Sequence, residues 1–330
     1  MLGADVSSSL SPRLHNAAYR ALGLDWEYGA LSLPSGDLKA ELWRLYRQGA
    51  LGCNLTAPFK EQAFRLLSEA PLNDVGSSQL NDVGSTPMDD VGSNPMDDAG
   101  SVRWNDVGSS TRNSANVITR NATSATAFSF ELDDAARRLG SVNTIAMLER
   151  CWRGFSTDGP GWVRAFTERF GATLSGRPVV MLGAGGAARA LAAALEEAGA
   201  REIAIVNRTP ERALLLISDL GLSRTRCLGS RWEGALQSGT LVIQATTCRS
   251  AELDAIWRWP ADLPDGVIAC DILYGSKPSA FLAEARRRSL PSQDGLGMLL
   301  HQAALALELW SGRPAPIEAM RQSVREFIKS

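Results

Sequence analysis

Histidine occurs only twice in these 330 residues, at His15 and His301, and tyrosine only four times. A catalytic centre built on a histidine cluster, or a metal held by several imidazoles, is thereby excluded. The five cysteines (Cys53, Cys151, Cys227, Cys248, Cys270) form no CxxC and no other metal-ligand spacing. They read as buried, reduced thiols of a cytoplasmic protein. No apolar run reaches the roughly 20 residues of a membrane span. The first residues, MLGADVSSSLSP, lack the basic and apolar regions of an export signal. A surplus of charge is missing too: 34 Lys and Arg stand against 36 Asp and Glu, a formal net charge of -2. No electrostatic reason exists to expect nucleic acid or a membrane as partner. What is left is ordinary globular composition, 45% hydrophobic and 21% charged, at a length that suits two domains.

One stretch departs from that composition. In steps of eight the chain reads NDVGSSQL from Asn73, then NDVGSTPM, DDVGSNPM, DDAGSVRW and NDVGSSTR, with two decayed units running to Phe128. Asp oxygens are hard ligands, so a Ca²⁺ array is one reading. Calcium loops alternate their acidic residues and add a bidentate Glu, and this segment contains no Glu. Its few apolar residues cannot offset the entropy of ordering it. Composition therefore favours a disordered insertion at 73–128 and no metal site. The flanks, LGCNLTAPFKEQAFRLLSEAPL and FELDDAARRLGSVNTIAML, carry helical apolar spacing at Phe64 and Leu67 before it and at Leu132, Ala135, Ala136 and Leu139 after it. That spacing predicts a surface connection between two helices, where a long insertion costs little.

The second half carries the strongest local signal. In RPVVMLGAGGAARALAAALEEAGAREIAIVNRTPERA, a β-branched strand (178–182) runs into Gly183-x-Gly185-x-x-Ala188, then an Ala-rich helix, then a strand (202–206). This is a dinucleotide fingerprint in its strand–turn–helix–strand setting. Gly183 permits the tight turn, Gly185 lets backbone approach a pyrophosphate, and Ala188 lets the helix pack on the sheet. Ala184, Gly186 and Ala187 complete the loop around the phosphates, at a helix N-terminus. After the second strand come Asn207, Arg208 and Thr209, then Arg212, and no carboxylate. Two guanidiniums there suit the 2′-phosphate of NADP rather than the bare ribose of NAD. Further strands are predicted from Thr240 and over 266–273, then a helical C-terminus.

Nicotinamide chemistry needs a group that moves a proton. Both histidines read as packing or capping residues. Lys60 in NLTAPFK and Asp158 in FSTDGPG could form a lysine–carboxylate pair, but sequence separation does not join them. On the residues alone, a surface Lys and a turn Asp remain the simpler reading.

SLSPRLHNAAY, NLTAPFK, GSVNTI, STDGPGW, GAGGAARA, NRTPERA, CDILY and GLGMLLHQAALALELW occur in the order found in shikimate dehydrogenases. Outside 72–129 the chain resembles that family over most of its length. The resemblance implies an α/β fold: an N-terminal α/β substrate domain (1–157 and 290–330) and an NADP-binding Rossmann domain (158–289), with C-terminal helices returning to the first domain. It implies NADPH-dependent reduction of 3-dehydroshikimate to shikimate in aromatic amino-acid biosynthesis, by a monomer or homodimer. Lys60 and Asp158 become an acid/base dyad. Ser9 and Ser11 hold the substrate carboxylate; Thr56, Asn143, Tyr274 and Gln302 reach the ring. Thr246 and Gly295 join the cofactor contacts. A quinate-type paralogue and a catalytically impaired cofactor-binding relative are the alternatives. Against the family pattern, Ser8 stands where a His precedes SLSP, and too few residues precede that motif for the strand expected there, which predicts that the first strand is missing.

Overall fold

A computed structural model of the chain describes residues 1–33, 37–69, 128–229, 232–248 and 258–329. The octapeptide segment, and with it the expectation of a disordered insertion, lies outside the described residues up to residue 127.

The first domain opens with β1 (Leu2–Gly3), α1 (Ser11–Leu22), β2 (Leu31–Ser32), α2 (Leu38–Arg47), β3 (Gly52–Asn54) and α3 (Phe59–Ser68). Then come β4 (Ser129–Leu132), α4 (Asp134–Leu139), β5 (Thr144–Leu148) and β6 (Cys151–Phe155). The expectation of a missing first strand is corrected here. β1 pairs in parallel with β2, Leu2 opposite Leu31. Leu2 also bridges to Leu55, and the Thr56 N–H donates to the Leu2 carbonyl at 3.0 Å. Two residues thus join β2 to the mixed sheet ordered β3-β5-β6-β4. So short a strand has no alternation for a pattern to reveal; it is fixed by its pairing and by burying Leu2.

The flank of the octapeptide segment also differs from its spacing. A strand, not a helix, follows it, because β4 pairs in parallel with β6, Phe130 opposite Trp152 and Leu132 opposite Gly154. Phe128, Phe130 and Trp43 close around Trp152, with ring centroids 4.6–5.7 Å away. This aromatic packing outweighs the helical spacing of Leu132. The helix begins only after Asp133, whose carboxylate accepts from the Ala136 N–H at 2.6 Å as its cap.

The second domain holds α5 (Asp158–Phe170), β7 (Pro178–Leu182), α6 (Gly186–Glu197), β8 (Glu202–Val206), α7 (Pro210–Leu220), β9 (Thr225–Cys227), β10 (Leu241–Gln244), β11 (Ile268–Asp271), α8 (Ala280–Arg287) and β12 (Ser292–Gln293). Its sheet is parallel throughout, ordered β12-β11-β10-β7-β8-β9. β7, β10 and β11 are buried along their whole length, as strands covered on both faces must be. The winding direction reverses between β7 and β10, the place where such sheets bind ligands. The boundary at 290 also shifts: β12 pairs with β11 through Ser292 and Gln293, so the return starts later. It is made by α9 (Leu296–Ser311) and α10 (Ile317–Lys329). Leu300, Ala303, Ala304, Leu307, Met320 and Val324 pack there with Leu10, Leu14, Tyr19 and Tyr28 of the first domain. Of the five thiols, only Cys53 and Cys270 are buried; the other three are half-buried, and all five are free. No helix among the described residues is long and apolar enough to cross a membrane.

Candidate active site

Lys60 is the second residue of α3, and its carbonyl accepts from the Val142 N–H at 3.0 Å, which ties the helix start to the approach to β5. Asp158 is the first residue of α5. That helix enters the second domain through GPG, where side chains would not fit. A Cβ on Gly161 would stand 2.6 Å from the Gln302 nitrogen of α9, and one on Gly159 2.6 Å from the Ala190 carbonyl of α6. Small residues therefore set where Asp158 lands. The result is a Lys60 Nζ–Asp158 Oδ2 ion pair of 2.6 Å between residues 98 apart, with side chains 30% and 15% exposed. The pair is reachable from solvent without being surrounded by it.

Asn143 supports the other carboxylate oxygen. Its Nδ2 donates to Asp158 Oδ1 at 2.8 Å, and its Oδ1 accepts from the Thr157 N–H at 2.8 Å. Thr56 opens the turn before α3, where its carbonyl accepts from the Phe59 N–H. Gln302 lies against Gly161 and donates to the Leu299 carbonyl of its own helix at 3.1 Å. Lys60, Asp158 and Asn143 are thus bonded directly, with Thr56 just before the start of α3 and Gln302, on α9, packed against the start of α5. Ser9 and Ser11 are linked to each other instead: Ser9 Oγ accepts from the Ser11 N–H at 3.2 Å and donates to Met1 Sδ at 3.2 Å. Ser9 so supplies one of the acceptors that the start of α1 needs. Tyr274 packs against the buried cluster that includes Leu10, Leu14 and Leu300. Residue spacing missed Asn54, Thr144 and Thr157, which stand beside the quoted motif residues and hold Asn143 in place.

Neither histidine faces this pair. His15 is fully buried and stacks on Tyr28 at 4.1 Å. Burial, helped by the N-terminal ammonium, lowers its pKa to about 3. His301 Nε2 lies 3.0 Å from Glu168 Oε2.

At the end of β7, Gly183 has φ +116°, and a Cβ there would stand 2.6 Å from Thr246 Cγ2 and 3.0 Å from the Ala245 carbonyl. No other residue fits. Gly185 and Gly186 are the opposite case: a Cβ on either would meet nothing within 4 Å. Side chains are absent there although the protein leaves room for them, which is what a ligand pressed against backbone requires. The N-terminus of α6 lies there with no side-chain cap and no acidic residue in its first turn, a place suited to a phosphate. Ala184 and Ala187 are half-buried around it, and Ala188 is buried against the sheet. Thr246 is held by Gln244, to which its hydroxyl donates at 2.8 Å. Asn207 closes β8, its amide donating to the Thr209 carbonyl at 2.7 Å, while Arg208, Thr209 and Arg212 are exposed beyond it. Gly295 is buried against the Ile272 carbonyl at the end of β11, where a Cβ would overlap it. The loop, the helix start and the guanidiniums fit a dinucleotide with a 2′-phosphate. A cavity of about 680 Å³, lined by Pro264, Gly266, Arg288 and Leu290 among others, opens at the N-terminal ends of the strands, away from this loop.

A two-domain α/β protein, with a phosphate loop at the switch point of a parallel sheet and a lysine–carboxylate pair at the domain junction, has the make-up of a nicotinamide-dependent oxidoreductase. Family models narrow this. "Shikimate dehydrogenase substrate binding domain" matches residues 1–73, "Shikimate / quinate 5-dehydrogenase" residues 165–255, and "Shikimate 5'-dehydrogenase C-terminal domain" residues 295–325. Shikimate dehydrogenase (NADP(+)) of Moorella thermoacetica is 33% identical, over 99% of this chain and 92% of its own. The Xylella fastidiosa enzyme of the same name is 32% identical, over 95% and 90%. Thermus thermophilus shikimate 5-dehydrogenase, solved in complex with NADP(H) and shikimate, superposes with a TM-score of 0.69 at 30% identity, covering 98% of this chain and 97% of that one. Quinate dehydrogenase from Corynebacterium glutamicum shares the fold at a TM-score of 0.70 and 21% identity, covering 98% and 97%. The chain belongs to the shikimate dehydrogenase family.

Proposed function

We propose that this protein interconverts shikimate and 3-dehydroshikimate with NADP, serving as the NADPH-dependent reductase of aromatic amino-acid biosynthesis. The observation that carries this reading is the 2.6 Å Lys60–Asp158 pair, with Asn143 on the second carboxylate oxygen. Bound NADP supplies the hydride acceptor or donor. Every other task falls to the chain. Lys60 Nζ takes the proton from the reacting alcohol oxygen in oxidation and returns it to the carbonyl oxygen in reduction. Asp158 orients that amine and compensates the ammonium it becomes. Ser9 and Ser11 donate hydroxyl hydrogen bonds to the substrate carboxylate, and Thr56, Asn143, Tyr274 and Gln302 address the ring oxygens. Neutral donors and acceptors suit a small polyhydroxy acid, since a substrate lacking one hydroxyl leaves a polar group unpaired. The backbone of 183–187 holds the pyrophosphate, Asn207, Arg208, Thr209 and Arg212 hold the 2′-phosphate, and Thr246 and Gly295 border the nicotinamide.

Steady-state rates with shikimate or quinate, each with NADP⁺ or NAD⁺, test the proposal. Shikimate with NADP⁺ is expected to give the highest kcat/KM. Arg208→Ala/Arg212→Ala is expected to lower kcat/KM for NADP⁺ about 10- to 100-fold, the loss of one or two charge-assisted hydrogen bonds, with NAD⁺ little affected. Preference for quinate, or equal loss with both cofactors, contradicts it.

A further inference from the structure

Behind the Lys60–Asp158 pair runs a line of buried polar side chains. Tyr28, Asn54, Thr144, Asn143 and Thr157 are each no more than 6% exposed. Tyr28 Oη donates to Asn54 Oδ1 at 2.5 Å. Asn54 Nδ2 donates to Thr144 Oγ1 at 2.9 Å, and Thr144 Oγ1 donates to Asn143 Oδ1 at 3.1 Å. Asn143 Nδ2 then donates to Asp158 Oδ1 at 2.8 Å, and Lys60 Nζ donates to Asp158 Oδ2 at 2.6 Å.

We propose that Tyr28, Asn54 and Thr144 are positioning residues for the reaction, a buried relay that fixes which way the Asn143 side-chain amide faces and so presents its amino group to Asp158. The direction of the relay is set from both ends. At one end the Thr157 backbone N–H, which can only donate, lies 2.8 Å from Asn143 Oδ1. Oδ1 is therefore the acceptor, and the Thr144 hydroxyl can spend its single proton only on it, at 3.1 Å, or on the Thr157 hydroxyl beside it, at 3.3 Å. Thr144 must then accept from its other neighbour, which turns the Asn54 amino group toward it and the Asn54 oxygen toward Tyr28. At the other end the phenol satisfies that oxygen. Burial, with smaller contributions from Cys53 and Tyr19, raises the Tyr28 pKa well above its ordinary value, so the group stays a donor. A neutral imidazole, His15, covers its ring at 4.1 Å with the planes 7° apart. Each amide in the line has one orientation that leaves no lone pair against a lone pair. A flip of Asn143 would turn its oxygen onto the Asp158 carboxylate, and a flip of Asn54 would turn its oxygen onto the Asn143 carbonyl, to which its amino group now donates at 3.4 Å.

The inference rests on the proposed function, because it assigns Asp158 its part in proton transfer. What it adds is that the amide facing the pair is braced by a line of buried groups reaching back through Thr144 and Asn54 to Tyr28. A fully satisfied buried network of this kind rigidifies its members beyond the strength of any one bond, and small displacements of reacting groups cost rate steeply.

Thr144→Val keeps the shape and removes the hydroxyl; Thr144→Ser keeps the hydroxyl and removes a methyl. Four readouts apply to both and to Tyr28→Phe: kcat and KM for shikimate, the dissociation constant of NADP⁺, the thermal midpoint, and solvent exchange of the Asn143 side-chain amide protons by NMR. The expected result for Thr144→Val is a kcat about tenfold lower, an NADP⁺ constant within twofold of wild type and faster amide exchange. Thr144→Ser is expected to restore both, and Tyr28→Phe to lower kcat several-fold in the same pattern. If Val and Ser variants share one kcat, or only the midpoint moves, the hydroxyl is merely structural and the inference is overturned. If the wild type does not turn over shikimate at all, the proposed function fails, and amide exchange still decides the relay: slow in wild type and fast in Thr144→Val supports it, equal rates overturn it.

Discussion

At the residue scale, burial decides what each rare side chain does. His15 is the plainest case. Its folded pKa of about 3 lies below the ordinary 6.5 because burial penalises the charged ring and the N-terminal ammonium adds to that. As pH falls, the unfolded chain takes up a proton near 6.5 that the folded chain refuses. Stability is therefore unaffected above about pH 6.5 and is lost progressively from there toward pH 3. At pH 4.5 the loss is on the order of 3 kcal/mol, from roughly two pH units at about 1.4 kcal/mol each. His15→Phe keeps a ring against Tyr28 and removes the titration. Between pH 7 and 4.5, denaturant unfolding is expected to show the wild type losing about 3 kcal/mol more than this variant. Asp133, pushed up to about 6 by burial, titrates in both proteins and cancels in the difference. Equal pH profiles would show that His15 is not held neutral. The letters allowed His15 to be read as a packing or capping residue but not as a ring held neutral, since burial on a helix covered by α9 is a property of the third dimension.

At the element scale, α5 links the chemistry to both domains. GPG could be read as a turn from its letters, but in the fold these residues are the first turn of a helix packed against two others. Gly161→Ala would push a methyl into the backbone of α9 at Gln302. Such overpacking costs about 1–3 kcal/mol and would displace Asp158 and Gln302 together. Calorimetry is expected to show the lower midpoint, and kcat/KM for shikimate to fall further than the stability loss accounts for; an unchanged kcat/KM would mean that α5 can move without disturbing the pair. Legibility followed the same physics. β7 and β8 were readable to the residue, and α6 as a helix between them, because their apolar runs and glycines are local signals. β4 was not, since its strand state comes from pairing with β6 and from Trp152, 22 residues beyond Phe130. Lys60 and Asp158 were each visible in a motif, but nothing in the letters brings together residues 98 apart.

At the scale of the whole molecule, the two domains share α5, α9 and the Lys60–Asp158 pair, while the octapeptide segment lies between elements of the first domain alone. Leu67 before it and Leu132 after it belong to one buried cluster, which also holds Trp152 and Phe59. The ends of the segment are thus anchored in the same core, and shortening a connection changes its closure entropy only slightly. Replacing 73–127 with a short Gly-Ser link is expected to leave kcat and the NADP⁺ dissociation constant within about twofold; loss of turnover in a variant with native unfolding behaviour would give the segment a part in the reaction. The central claim is narrower and rests on a single amine. Shikimate-dependent NADPH formation, measured side by side for the wild type and Lys60→Ala, tests it most directly. The account predicts a wild type that turns over and a variant at least about 100-fold slower in kcat, with NADP⁺ bound as tightly as before. Equal kcat in the two proteins would contradict it.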